Sequence, residues 1–203
     1  MSPPQSPESP APPTDADHPV VLEATLRIDA PGPRKFEGVW LEHPGGKARW
    51  VVDYRGRELW RSFDGAMVMA TGHCYQPFGQ AINAPHFEVE TLRLLDMDSG
   101  RGRFLSLGAE RTMTGEFTTR AAPPGSKLAA SPPERVFVVG GTSYALANIA
   151  DAGEGFATVV GRFLEVNLRY AATDQDEELW LLAVHEPGWT PDPSTSRRRI
   201  PCP

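Results

Sequence analysis

Short segments of alternating apolar and polar residues, separated by glycine- and proline-rich turns, constrain this chain more than any other feature of its sequence. In residues 20–28, Leu22, Ala24, Leu26 and Ile28 share one face of an extended strand, and polar residues occupy the other. This period of two is typical of a strand that buries one side. The 21 prolines and 19 glycines favour many turns and short strands over long helices. The pattern therefore predicts an all-β protein.

The first half of the chain, residues 20–98, predicts five strands and one short helix. Leu59, Trp60 and Phe63 stand at helical spacing, which predicts one or two helical turns over residues 58–63. Gly45-Gly46 supplies the positive φ that a tight hairpin needs. The predicted strands cover residues 20–28, 36–42, 47–54, 66–72 and 86–95, with a long loop over residues 73–85.

This order of elements resembles that of OB-fold domains. FDGAMVMATG, residues 63–72, resembles the helix-to-fourth-strand junction of bacterial OB-like domains, and HFEVETLRLL, residues 86–95, resembles their last strand. The resemblance covers residues 20–96 and includes no signature motif of a specific family. It implies a five-stranded barrel that binds its ligand over the second and third strands.

The second half repeats this plan at low residue identity. Gly140-Gly141 takes the place of Gly45-Gly46, and the distance from Gly161 to the last strand matches the corresponding distance in the first half. We therefore expect two small five-stranded OB-like barrels in tandem, at residues 20–98 and 103–187, with a boundary within residues 96–102.

Both ends of the chain predict poorly ordered tails. Residues 1–19 are rich in proline and serine and nearly free of large apolar groups, so we expect them to be disordered. Residues 188–203 are rich in proline and arginine, and we expect a flexible tail. No basic, apolar leader opens the sequence, and no apolar run approaches the length of a membrane span. These features indicate a cytoplasmic protein without a membrane partner.

The charge distribution argues against nucleic acid as the default partner. Net charge is −6, and both predicted barrels are acidic: residues 20–98 hold 9 basic and 11 acidic side chains, and residues 101–187 hold 8 and 11. Phosphate-binding proteins usually show an excess of lysine and arginine. Motifs for nucleotide, zinc-protease or hydrolase chemistry are absent from the sequence. We therefore predict a non-enzymatic protein with no cofactor.

Three residues near the predicted 73–85 loop form the only plausible metal group: His73, Cys74 and His86. Their spacing is not that of paired zinc ligands, so we predict no metal site. Cys74 as a nucleophile is an alternative, but no Cys-His family signature surrounds it, so a half-buried thiol is the simpler interpretation. Two cysteines are also too few for a disulfide framework. The acidic run of residues 174–178 could bind Ca²⁺, but it lacks EF-hand spacing, and we expect a solvated charge cluster.

Aromatic and basic residues on the second and third strands supply the candidate binding site. OB-folds bind oligonucleotides and oligosaccharides by stacking rings over this face. Trp40 stands between Val39 and Leu41, so it should point away from the core; Trp50 alternates with Ala48 and Val52, and a core position is the simpler interpretation. The predicted ligand-binding residues are Trp40, Lys47, Arg49, Trp50, Tyr54 and Tyr144.

Two functions follow from these observations. The first is a binding or scaffold protein whose barrels contact another protein. The alternative is a single-stranded nucleic-acid-binding protein that uses the strand 2–3 face of the first barrel. Fold alone does not decide between them, since OB-like barrels serve many unrelated functions.

Overall fold

The structure, a computed structural model, describes residues 18–29, 37–46, 48–77, 82, 84–96, 102–122, 124–125, 131–148, 153–170, 175–193 and 197–203. The predicted all-β class is confirmed, with one short helix, α1, at Glu58–Arg61. The strands are β1 Val20–Ile28, β2 Val39–Glu42, β3 Arg49–Asp53, β4 Met67–Gln76, β5 His86–Leu94, β6 Phe104–Arg120, β7 Glu134–Val139, β8 Thr142–Leu146, β9 Gly155–Val166, β10 Glu177–His185 and β11 Arg198–Arg199.

Strands β1–β5 pair in a closed ring. β1 pairs antiparallel with β2 and β4, β2 pairs with β3, and β4 pairs with β5. A parallel pairing between β3 and β5, at Val51 and His86, closes the ring. The alternation in β1 has the predicted sense, because Ala24 and Leu26 are fully buried in the core. The ring order is β1-β2-β3-β5-β4.

Strands β6–β10 pair in a second ring of the same order. β6 pairs antiparallel with β7 and β9, β7 with β8, and β9 with β10. The third and fifth strands of this ring, β8 and β10, are again parallel. Gly140 and Gly141 form the β7–β8 turn with positive φ, as the hairpin requires.

The two rings belong to one mixed sheet of eleven strands, joined where β5 pairs with β6. The larger core cluster crosses this junction, because Phe104, Leu107, Leu164 and Val166 pack with the apolar residues of the first ring. A smaller cluster around Phe117 and Phe137 fills the second ring. The halves therefore share apolar packing as well as backbone hydrogen bonds.

β4 is longer than the sequence predicted. It continues past Gly72 to Gln76, so His73 and Cys74 lie in a strand and not in the expected loop. The register between β4 and β5 shifts at Thr71/Gly72. A Cβ on Gly72 would stand 1.9 Å from the carbonyl oxygen of Glu88. Gly72 therefore lies at a β-bulge where the two backbones approach closely. A glycine at such a bulge looks in the sequence like the end of a strand, which is why the predicted strand stopped at Gly72.

The end of the chain also differs from expectation. β11 pairs antiparallel with β4, and Cys202 forms a disulfide with Cys74. The expected flexible tail is thus held to the first ring at residues 198–202. The expected disordered segment, residues 1–19, lies outside the described residues except for His18 and Pro19.

Candidate functional site

The predicted stacking face lies on the outside of β2 and β3. Trp40 points away from the core, as predicted, while its neighbours Val39 and Leu41 are fully buried. The guanidinium carbon of Arg49 lies 3.9 Å from the centre of the Trp40 ring. Lys47 is outside the described residues. Trp40 and Arg49 are therefore brought together on the surface, as a cation–π pair.

The Arg49 guanidinium forms ion pairs with two carboxylates, those of Asp29 and Glu42. Nη2 donates to both carboxylate oxygens of Asp29 at 2.8 Å, and Nε lies 3.0 Å from Glu42. Arg27 also lies within 3.8 Å of Glu42. Two acidic groups thus neutralise the cation that a phosphate would need, and the guanidinium covers the ring on which a base would stack.

Two of the predicted binding residues belong to the core. Trp50 is 3% exposed and packs in the first-ring cluster, so it does not form a surface platform. Tyr144 is half-buried against the second-ring cluster, with its ring centre 4.7 Å from that of Phe163. The physical reason is size: a ring of five strands needs large side chains to fill its interior.

Tyr54 joins a buried cluster at the β3–β5 contact. His86 is fully buried; its Nδ1 donates to the Ala84 carbonyl at 2.8 Å, and its Nε2 accepts from the Tyr54 hydroxyl at 2.5 Å. Burial lowers the pKa of His86 below its usual value, and the hydrogen bond to Ala84 partly opposes this. Tyr75 packs edge-on against His86, and burial raises the pKa of its hydroxyl. The imidazole is held neutral, in one tautomer.

His73, Cys74 and His86 do not form a metal site. Cys74 is 1% exposed and bonded to Cys202, so the predicted free thiol is wrong. Nε2 of His73 lies 2.9 Å from Glu90. Within the part of the chain that the structure describes, three His, Cys, Asp or Glu side chains do not converge anywhere as a metal ion would require.

The acidic run of residues 174–178 is not a uniformly solvated cluster. Glu178 is 2% exposed and forms an ion pair with Arg103, at the start of the second half. Gln175 accepts from the amide of Ala145 and donates to the carbonyl of Ser143. Its side-chain amide therefore bonds to β8 as a neighbouring strand would. Asp174 lies outside the described residues.

An exposed apolar face lies on the outer side of β1, β4 and β5. Met67 and Met69 project from β4, Val21 projects from β1, and Leu95 follows β5 directly, with its amide bonded to the Met67 carbonyl. Their exposed fractions run from 37% for Met69 to 60% for Val21. Met69 lies between Glu23 and Arg93 in the sheet register. We call these four residues the apolar face.

Sequence reasoning missed both the apolar face and the disulfide. Met67 and Met69 alternate with Val68 and Ala70, so the segment gives no period-two signal and either set could face the core. Cys74 and Cys202 are the only cysteines, so the one disulfide that the sequence permits is the bond between them. The sequence gives no sign that residues 198–202 return to β4, where this bond can form.

Comparison of the chain with protein-family models, with curated proteins and with solved structures found no match. None of the described residues forms a helix long and apolar enough to cross a membrane.

Proposed function

We propose that this chain is a non-enzymatic binding protein made of two OB-like barrels, and that it binds another protein through the apolar face. The shared strand order of the two rings supports the barrel assignment. In each ring the first strand pairs with the second and fourth, and the third lies parallel to the fifth. This is the strand plan that the sequence resemblance implies.

The apolar face is the observation that carries the choice of partner. Four large apolar side chains share one sheet surface: Met67 and Met69 follow each other along β4, Leu95 lies beside Met67, and Val21 lies opposite Thr71, diagonal to Met69. Isolated exposed apolar residues, in contrast, are common and need no explanation. Two of them are methionines, whose unbranched, polarisable side chains adapt to different contact surfaces. One acidic and one basic residue, Glu23 and Arg93, flank the centre of the face. An apolar centre with polar neighbours is the composition of a protein interface.

Site-specific photocrosslinking tests this proposal. A benzophenone amino acid replaces Met69 in the full chain, and matched protein carries it at Leu168, which is 53% exposed on the second ring. In cells that express the protein naturally, we expect a discrete, nuclease-resistant protein adduct from position 69 and none from position 168. Equal adducts from both positions, or none from position 69, would contradict a partner at the apolar face.

Single-stranded nucleic acid is the second candidate, because Trp40 does point outward from the second strand. The Asp29 and Glu42 carboxylates that bind Arg49 count against it. Fluorescence anisotropy with a labelled 20-nucleotide strand at low salt separates the candidates, and we expect no binding at about 10 μM. Tight binding that weakens with salt and is lost in Trp40→Ala would replace the protein-binding proposal.

We include a cytoplasmic location in the proposal. Disulfides rarely persist in a reducing cytosol. The Cys74–Cys202 bond would therefore be open to reduction there.

A further inference from the structure

The last residues of the chain complete one edge of β4. β5 occupies one side of β4 as far as Tyr75, and β1 occupies the other side only as far as Gly72. β11 pairs with residues 75–76 beyond that point, and the amide of Ile200 donates to the Cys74 carbonyl at 2.9 Å. The tail therefore fills the edge that β1 leaves open.

Among the described residues of this tail, 197–203, Ile200 packs against the first-ring core and the Arg197 guanidinium lies 4.4 Å from the centre of the Tyr75 ring, while the other noncovalent contacts are exposed. β11 has two residues, both exposed. Arg197 lies 3.9 Å from Glu88, and Arg199 lies 3.6 Å from Glu90. Exposed ion pairs of this kind contribute at most about 1 kcal/mol each. The preceding residues 186–193 are exposed, and they are held to the second ring by contacts such as the hydrogen bond from the Gly188 amide to the Thr158 hydroxyl and the stacking of Trp189 on His185.

The disulfide is the strongest tether of the tail. Cys74 is buried in the first-ring core, and Cys202 is half-buried against it, 128 residues away. The rings do not need this bond to close, because β4 pairs with β1 and β5 over most of its length. Breaking the bond should therefore affect the tail far more than the rings.

We propose that residues 197–203 form a redox-released strap across β4 and β5. A dithiol reductant opens it by ordinary exchange. One thiolate attacks Sγ of Cys202, the less buried cysteine, and Sγ of Cys74 leaves as a thiolate and takes a proton. The second thiol of the reductant then displaces Cys202 as a thiol. The protein disulfide gains two electrons and two protons, and the reductant becomes a disulfide.

Release uncovers an acidic strip with an open strand edge. The strap now lies beside His73 and Tyr75, which are both buried, and its arginines are near Glu88 and Glu90. When the strap leaves, the backbone N–H and C=O groups of residues 74–76 lose their hydrogen-bond partners. Such an edge accepts an extended, arginine-bearing segment by strand addition. The occupant in this structure is the chain's own C-terminal segment.

Amide hydrogen exchange on the full chain, with and without dithiothreitol, tests the release. After reduction the Ile200 amide is protected only by the local contacts of residues 197–203, so it exchanges whenever the tail detaches from β4. We expect its exchange to accelerate by at least about 100-fold on reduction. The Leu26 amide, bonded to Ala66 within the first ring, should accelerate by at least about tenfold less.

Two variants serve as controls. Cys202→Ser in the full chain should reproduce the fast Ile200 exchange without reductant. Arg199→Gln keeps the disulfide and removes one ion pair, so Ile200 should remain protected to within about tenfold. Continued protection of Ile200 after reduction, or loss of protection at Leu26 together with Ile200, overturns the proposal, since the tail would then be either independent of the bond or inseparable from the ring.

Discussion

Gly72 shows how closely the strands of the first ring approach one another. Its Cα faces the Glu88 backbone, and a Cβ there would meet the carbonyl oxygen at 1.9 Å. Any side chain would force β4 and β5 apart at the bulge. Glycine is required at this position by space, and not by an unusual φ angle.

We therefore expect Gly72→Ala to destabilise the protein by about 3 kcal/mol or more, since overpacking against backbone is not relieved by a rotamer change. Gly153→Ala is the matched control: a Cβ there meets nothing within 4 Å, and the expected change is within about 0.5 kcal/mol. Urea unfolding monitored by circular dichroism measures both. Equal stability of the two variants would contradict the close approach.

His86 makes stability depend on pH. Its pKa in the folded protein is lowered, mainly by burial, so the unfolded chain binds the proton more readily than the folded chain. Stability is therefore complete above the usual histidine pKa of about 6.5 and falls as the pH drops below it towards the folded pKa. Protonation would also remove the acceptor for the Tyr54 hydroxyl.

We expect the urea midpoint to fall between pH 7.5 and pH 5.5, and this fall to be smaller in His86→Gln, which cannot titrate. The control is His43→Gln, because His43 lies in the exposed β2–β3 turn. Unfolding curves at the two pH values provide the measurement. An undiminished fall in the His86 variant would assign the pH dependence to other groups.

At the scale of elements, β9 reaches across to β5 through Arg162. Its guanidinium donates to the carbonyl oxygens of Val89 at 2.9 Å, Glu90 at 2.9 Å and Gly108 at 3.1 Å. Burial lowers the pKa of Arg162, and nearby carboxylates, led by Glu110, oppose the shift. The bulge in β6 between Leu107 and Glu110 interrupts the ladder where the side chain passes.

Removing this guanidinium deprives three carbonyl oxygens of this donor, and one of them belongs to the buried Val89. We expect Arg162→Met to cost at least about 2 kcal/mol, because each unsatisfied buried group costs about 1–3 kcal/mol. Arg111→Met, on an exposed side chain over Phe163, should cost less than about 1 kcal/mol. Chemical denaturation of both variants measures the difference. If Arg162→Met destabilises the protein no more than Arg111→Met does, the hydrogen bonds of Arg162 do not stabilise the junction between the rings.

At the scale of the whole molecule, the two rings should unfold together. Phe104 and Leu164 lie in strands of the second ring but pack in the core of the first. The β5–β6 pairing and the Arg162 bridge add polar contacts at the same junction. The first ring therefore cannot keep its full core if the second unfolds.

Pulse hydrogen exchange with mass spectrometry, at a series of urea concentrations, measures this coupling. Peptides from β1 and from β10 should lose protection at the same midpoint, within about 0.3 M. Two separated midpoints would show that each ring is an independent folding unit, and that the shared packing contributes little.

The sequence by itself determined the element types, most strand positions and the direction of alternation in β1, since period-two patterns record which side of a strand is buried. It also placed Trp40 on the surface. Only the tertiary structure decided which aromatic residues remain accessible: Trp50 fills the ring interior, and Arg49 is bound by carboxylates from other segments. The return of Cys202 to Cys74 and the assembly of the apolar face from β1, β4 and the residue after β5 were likewise tertiary outcomes. Contacts between residues far apart in the chain leave no periodic signal in either segment alone.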